Sequence, residues 1–329
     1  MSNLQQRILT AVVLLALFIA ALVVRTPWPF LLLTLLLIGA AAWEWSRLIG
    51  WMGWRAWVSG VLCAVACATM LLIHVLPNPP DFGRNSNDWF DDSYLVMIGI
   101  KLSSTGQDRL ILLSLFMTFV MPVIQVLVCL FWIIGVPWLL WRGVARWPAL
   151  PRWLRWSMGM AMLIVAWFAL AQIYKNQGVN FLLSVLALVW VADIGGYVFG
   201  RAFGGKLTGG RKLAPAISPG KTWEGALGGF ICVLLAGAVW VWFDSASHIN
   251  LYTALWRFHP LWFLAGLAFF TAMSIVGDLF ESLVKRAAGV KDSSQLLPGH
   301  GGVLDRIDAL LCMLPLTLLV TVPLEQNLW

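Results

Sequence analysis

Two carboxylates stand where a carboxylate is hard to keep. Asp193 lies in Val-Trp-Val-Ala-Asp-Ile-Gly-Gly-Tyr and Asp278 in Ser-Ile-Val-Gly-Asp-Leu-Phe-Glu-Ser, each inside a long apolar run. An ionisable group in such a run is costly unless it faces water, a partner or a bound ion, so it marks a functional site by default. At Asp193 the competing reading is helix packing, because Gly196, Gly200 and Gly204 recur every four residues as a face for close approach. Asp278 carries more: with Ser282 and Lys285 it is spaced i, i+4, i+7, which lines up a carboxylate, a hydroxyl and an ammonium on one helical face.

The chain beyond that face is polar and rich in glycine. Lys285, Arg286, Lys291 and Asp292 lead into Leu-Leu-Pro-Gly-His-Gly-Gly at 296–302, and Asp305, Arg306, Ile307 and Asp308 follow. Glycines on both sides of His300 let the backbone approach a ligand, and the next helix opens with free amides suited to an anion. Asp305 and Asp308, one turn apart, can share a side with a bound cation. Bases and carboxylates around a flexible turn are what a magnesium-bound polyphosphate needs: acids for the metal, bases for the remaining phosphate charge. A loop serving only to fix topology would explain the Lys and Arg but not Gly-His-Gly-Gly or the flanking acids.

A second basic segment runs from Gly204-Gly205-Lys206 through Arg211 and Lys212 to Ser218-Pro219-Gly220-Lys221-Thr222. It is similar to the end of a P-loop, but Pro215 occupies the place of the required first glycine and no strand is expected before it, so a Walker site is rejected. Ser218, Lys221 and Thr222 remain as phosphate-contacting groups before a helix start.

The elements that must carry these residues are membrane helices. Hydrophobic residues make up 60% of 329 positions and charged residues 11%, against roughly half and a quarter in a soluble domain. The expectation is an all-α, polytopic transmembrane bundle of about nine spans, near 8–24, 28–46, 57–76, 111–140, 156–174, 180–200, 224–243, 260–284 and 303–323. The fourth contains Pro122 and Pro137 and reads as one kinked span or as a span plus an interfacial piece. With the N-terminus inside, most of the 22 basic residues fall on the cytoplasmic side, and Arg25, Arg84, Lys101, Arg109, Lys175 and Arg257 on the other. The net charge of +7 is therefore read as topology and contact with anionic lipid, with no nucleic acid partner. Three regions follow: N-terminal helices at 1–76; an outer loop, the long fourth span and a basic cytoplasmic loop at 77–155; and a catalytic membrane domain at 156–329. Arg7 precedes the first apolar run, no cleavage site follows Val24, and a retained first span is expected. The outer acids Asp81, Asp88, Asp91, Asp92 and Asp108 lack the order of a calcium loop and read as solvated. Tryptophans at span ends, among them Trp43, Trp45, Trp51, Trp54, Trp138 and Trp141, read as interface anchors. The five cysteines all lie in apolar runs, indicating neither disulfides nor zinc.

The run Ser282-x-Val284-Lys285-Arg286-x4-Lys291-Asp292-x-Ser294-x2-Leu297-Pro298-x-His300-Gly301-Gly302-Val303-x-Asp305-Arg306-Ile307-Asp308 resembles, at every specified position, the signature of the phosphatidate cytidylyltransferase (CDP-diacylglycerol synthase) family. The 217–225 segment, Asp193-x-Gly195-x-Tyr197 and Ala42-Trp43-Glu44-Trp45 are similar to that family as well, while 77–153 is longer than expected for it. The resemblance implies transfer from CTP to phosphatidate with release of pyrophosphate, at the cytoplasmic face of a bacterial inner membrane. It implies magnesium, with room for a second cation, and allows a homodimer. By position it makes Asp278 and Asp305 the metal carboxylates. Lys285, Arg286, Lys291, His300, Arg306 and Asp308 become catalytic, and Asp193, Ser218, Lys221, Thr222 and Ser282 substrate-binding. His300 is expected to donate to phosphate or organise the loop, because an ionised phosphate nucleophile needs no strong base. A CTP-dependent polyprenol kinase, an ether-lipid CDP synthase and an ion-coupled transporter are the alternatives.

Overall fold

A computed structural model of the chain describes residues 3–24, 26–72, 119–243 and 250–326. The outer acids and the start of the expected fourth span lie outside the described residues. The apolar runs form helices α1 (Asn3–Val23), α2 (Trp28–Leu48), α3 (Trp54–Met70), α4 (Phe119–Arg142), α5 (Arg152–Gln172), α6 (Gly178–Phe203), α7 (Trp223–Phe243), α8 (Leu251–Phe258), α9 (Pro260–Ala287) and α10 (Leu304–Gln326). Between α6 and α7 lies a two-stranded antiparallel hairpin, β1 (Lys212–Ala214) and β2 (Ser218–Thr222), in which Lys212 faces Thr222 and Ala214 faces Ser218. The sequence, rich here in Gly and Pro, predicts no strand in this segment.

Helix limits follow local chemistry. Asn250 accepts from Thr253 N at 3.0 Å while Thr253 Oγ1 accepts from Asn250 N at 3.0 Å, a reciprocal cap that starts α8. The described part of the fourth span is one helix, with a π turn at Phe131–Gly135 just before Pro137, whose missing N–H breaks the regular ladder there. A second π turn, Ile173–Gln177, extends α5 to Gly178, whose φ of 84° and ψ of 177° break the helical path before α6, a conformation open to glycine.

Five helical stretches among the described residues are long and apolar enough to cross a membrane: Trp28–Leu48, Phe119–Arg142, Arg152–Phe203, Trp223–Phe243 and Pro260–Ala287. The protein is thus a polytopic helical membrane protein. The expected count of nine is not reached on this measure. Leu9–Val23 and Trp54–Met70 are shorter apolar helices, and the fifth and sixth expected spans run on as one stretch of 52 residues. At about 1.5 Å per residue that stretch would reach about 78 Å if straight, more than twice a bilayer core, which makes Gly178 the place to turn.

Two packing features position the site. The glycine face is real: a Cβ at Gly225 would lie 2.7 Å from Gly196 O, and one at Gly229 2.7 Å from Ala192 O, so α6 and α7 touch backbone to backbone. The second corrects the reading of Trp45 as an interface anchor. Trp45 is fully buried, its Nε1 donates to Arg155 O at 3.1 Å, and it packs with Trp147 around Phe280, which Trp132 also meets edge-on. This aromatic cluster locks α2 and α4 against α9, one residue from Glu281.

Candidate active site

Three helices bring carboxylates around one lysine. Lys221, at the end of β2, pairs with Asp278 of α9 (Nζ to Oδ2, 2.6 Å), and Ser282 Oγ donates to Asp278 Oδ1 at 3.3 Å. Asp308 of α10 feels the charges of Asp278, Asp193 and Lys221, and Asp193 of α6 those of Asp278 and Lys221. The approach is close because Gly277 has no side chain: a Cβ there would sit 2.9 Å from Ala309 Cα. Asp278, beside Lys221, is the carboxylate of this group that a cation could reach, with Asp193 and Asp308 as its neighbours.

Asp305 belongs to a different cluster. Its Oδ1 accepts from Lys285 Nζ at 2.6 Å, and its Oδ2 accepts from Gly302 N at 2.7 Å, Ser293 N at 2.9 Å and Ser293 Oγ at 3.0 Å. Lys285 also pairs with Glu281, one turn before it on α9. The structure therefore places Asp278 and Lys285, neighbours on one helical face, in separate ion pairs. No hydrogen bond or ion pair among the described residues joins Asp278 to Asp305, and no group of three or more His, Cys, Asp or Glu at metal-holding spacing occurs there.

Several of the residues expected to contact phosphate hold backbone in this structure. Arg286 Nε donates to Ile217 O at 3.4 Å and its Nη1 to Val290 O at 3.2 Å, tying the hairpin to the 288–303 loop. Arg306 donates twice to His300 O, at 2.6 and 3.1 Å. Thr222 is buried and its Oγ1 accepts from Gly225 N at 3.0 Å, capping α7. Ser218 lies at the hairpin pair with Ala214. Lys291 is exposed and, with His300 and Arg306, lines a cleft of about 710 Å³ to which Asp292, Gln295 and Gln6 also contribute. That space suits a nucleotide-sized ligand beside the loop.

Three acids receive no role from the sequence. Glu281 is buried against Lys285, and Glu224 accepts from Gly205 N, Thr208 N and Thr208 Oγ1 to shape the 204–210 turn. Glu44, fully buried on α2, accepts from four groups of the 293–304 segment. The rule that singled out Asp193 and Asp278, an acid within an apolar run, applies equally to Glu44 and Glu281.

Comparison with known proteins matches residues 5–323 to the model of the cytidylyltransferase family. A phosphatidate cytidylyltransferase of Pseudomonas aeruginosa is 32% identical over 315 residues, covering 95% of this chain and 94% of its own. One from Haemophilus influenzae is 46% identical over 139 residues, 42% of this chain and 44% of its own, and one from Staphylococcus saprophyticus is 40% identical over 142 residues, 43% and 49%. A family match along nearly the whole chain, joined to two basic segments gathered on membrane-embedded carboxylates, places this chain in the cytidylyltransferase family.

Proposed function

We propose that the protein joins CTP to phosphatidate, giving CDP-diacylglycerol and pyrophosphate, at the cytoplasmic face of a bacterial inner membrane. The observation that carries this reading is the Lys221–Asp278 pair, through which the hairpin and the signature helix meet on one carboxylate centre inside the bundle. The names of the relatives support the lipid acceptor, and the surplus of basic residues on the loops supports the orientation.

The donor chemistry fits magnesium, which takes one or two protein carboxylates and fills its remaining positions with water and phosphate oxygens. Asp278 is the natural ligand, with Asp193 and Asp308 as the neighbouring charges. Asp305 fits poorly, since four donors already converge on its two oxygens. When bound, magnesium would offset negative charge on the transferring phosphoryl group.

The chain's own residues bind and orient. A phosphate oxygen of the lipid attacks the α-phosphorus of CTP, a new P–O bond forms, the bond from that phosphorus to the bridging oxygen breaks, and pyrophosphate leaves. The nucleophile is already ionised, so the protein need only hold the two phosphates in line. Lys291 and Arg306, at the cleft, suit the departing phosphates. Lys221, which pairs with Asp278, would be placed to contact the α-phosphate.

Purified protein supplied with CTP and magnesium should react with phosphatidate and not with diacylglycerol or a polyprenol. Equal or greater turnover of a hydroxyl acceptor, with CDP as coproduct, would replace this reading with that of a lipid kinase.

A further inference from the structure

The residue that holds the signature loop lies on the second helix, about 250 residues away in sequence. Glu44 stands one turn before the end of α2 and has 0% exposure. A buried anion must have its lone pairs met, and here the loop meets them. Oε1 accepts from Ser294 Oγ at 2.5 Å and Val303 N at 2.9 Å; Oε2 accepts from Ser293 Oγ at 3.1 Å and Leu304 N at 2.7 Å. Two donors come from the beginning of the loop and two from its end. The two amides open α10, where a helix presents unpaired N–H groups and the positive end of its dipole.

Two further observations bear on the same contact. Ser293 Oγ lies 3.1 Å from Glu44 Oε2 and 3.0 Å from Asp305 Oδ2, so its single proton is divided between the two carboxylates. A Cβ at Gly302 would lie 2.7 Å from Glu44 Cδ, which gives the last glycine of Gly-His-Gly-Gly a reason unrelated to ligand approach. The neighbouring Trp45 is buried in the aromatic cluster and bonded to Arg155 O.

The geometry points to Glu44 as a positioning residue for nucleotide transfer: through it, α2 fixes both ends of the 293–304 loop and so sets Lys291, His300 and Arg306 around the cleft. The inference rests on the proposed cytidylyl transfer only for the identity of the nucleotide.

Glu44→Gln tests it. The amide keeps the shape but puts an NH2 among four donors. The serine hydroxyls can turn to accept; the backbone cannot. Whichever way the amide is turned, one of Val303 N and Leu304 N loses its acceptor. Hydrogen exchange should therefore rise about tenfold or more across 292–304, in line with the loss of a charge-assisted bond, and stay unchanged in the 212–222 hairpin and α5. KM for CTP should rise by about the same factor, with a smaller change in KM for the lipid. Ser294→Ala should give a weaker shift confined to the same loop, and should add less in the Glu44→Gln background than alone. If Glu44→Gln yields no folded protein, the loop-limited exchange of Ser294→Ala carries the test. Unchanged loop exchange, exchange raised equally along the whole chain, or independent effects of the two substitutions would overturn the proposal. Failure of the wild type to use CTP and phosphatidate would refute the function reading instead, while the exchange result would still decide on Glu44.

Discussion

Replacing Asp305 with asparagine removes the charge on which Lys285 Nζ, Ser293 N, Ser293 Oγ and Gly302 N converge. Asparagine keeps one oxygen. Turned toward the two backbone amides, that oxygen leaves an NH2 pointing at the Lys285 ammonium; turned toward the lysine, it leaves both amides without an acceptor. Hydrogen bonds to charged groups contribute about 1.5–3 kcal/mol each, and not additively. Lys285 keeps Glu281 as a partner, so the full cost of stranding a buried charge does not arise. A net loss of about 2–3 kcal/mol in loop positioning is expected, a fall of about thirtyfold to 150-fold in kcat/KM for CTP. The assay is pyrophosphate release titrated with magnesium at saturating lipid. A loop organiser leaves the magnesium concentration for half-maximal rate unchanged, whereas a metal ligand raises it. Recovery of the asparagine variant to near wild-type rates at high magnesium would refute the assignment of Asp305 to the loop.

Asp278→Asn should behave in the opposite way, losing about a hundredfold or more in rate and needing more magnesium in the same titration; an unchanged magnesium requirement counts against Asp278 as ligand. A cysteine placed at exposed Gln295 should react with an impermeant thiol reagent only from the cytoplasmic side in intact cells and inverted vesicles, since four of the five native cysteines are buried; labelling from outside reverses the topology. Gly225→Val should lower thermal stability in detergent by about 1–3 kcal/mol, as overpacking does, because its Cβ would meet Gly196 O at 2.7 Å; a neutral effect there means that α6 and α7 do not pack this closely.

The sequence exposed the parts of this molecule whose chemistry is local. The apolar runs announced membrane helices, the glycine spacing announced a close helix pair, and the polar, glycine-rich run from Ser282 to Asp308 announced a loop unlike the rest of the chain. What it left open was lateral direction. Asp278 and Asp305 flank one loop, and nothing in their spacing tells how α9 and α10 are rotated. Gly277 sets that rotation by close approach to Asp308 O and Ala309, and Asp305 pairs with Lys285. The hairpin was hidden because Pro215, Pro219 and Gly220 read as loop punctuation, although β2 carries Lys221 to Asp278. Glu44 was hidden for another reason: its partners are serines and amides of a loop at the far end of the chain, a contact that no periodicity records.

CTP labelled separately at its α- and γ-phosphorus, incubated with the purified protein, magnesium and phosphatidate, tests the central claim most directly. The account predicts that the α-label passes to the lipid and the γ-label to pyrophosphate, in equal amounts and at the same rate. Transfer of the γ-label to lipid, with the α-label left in CDP, would contradict it.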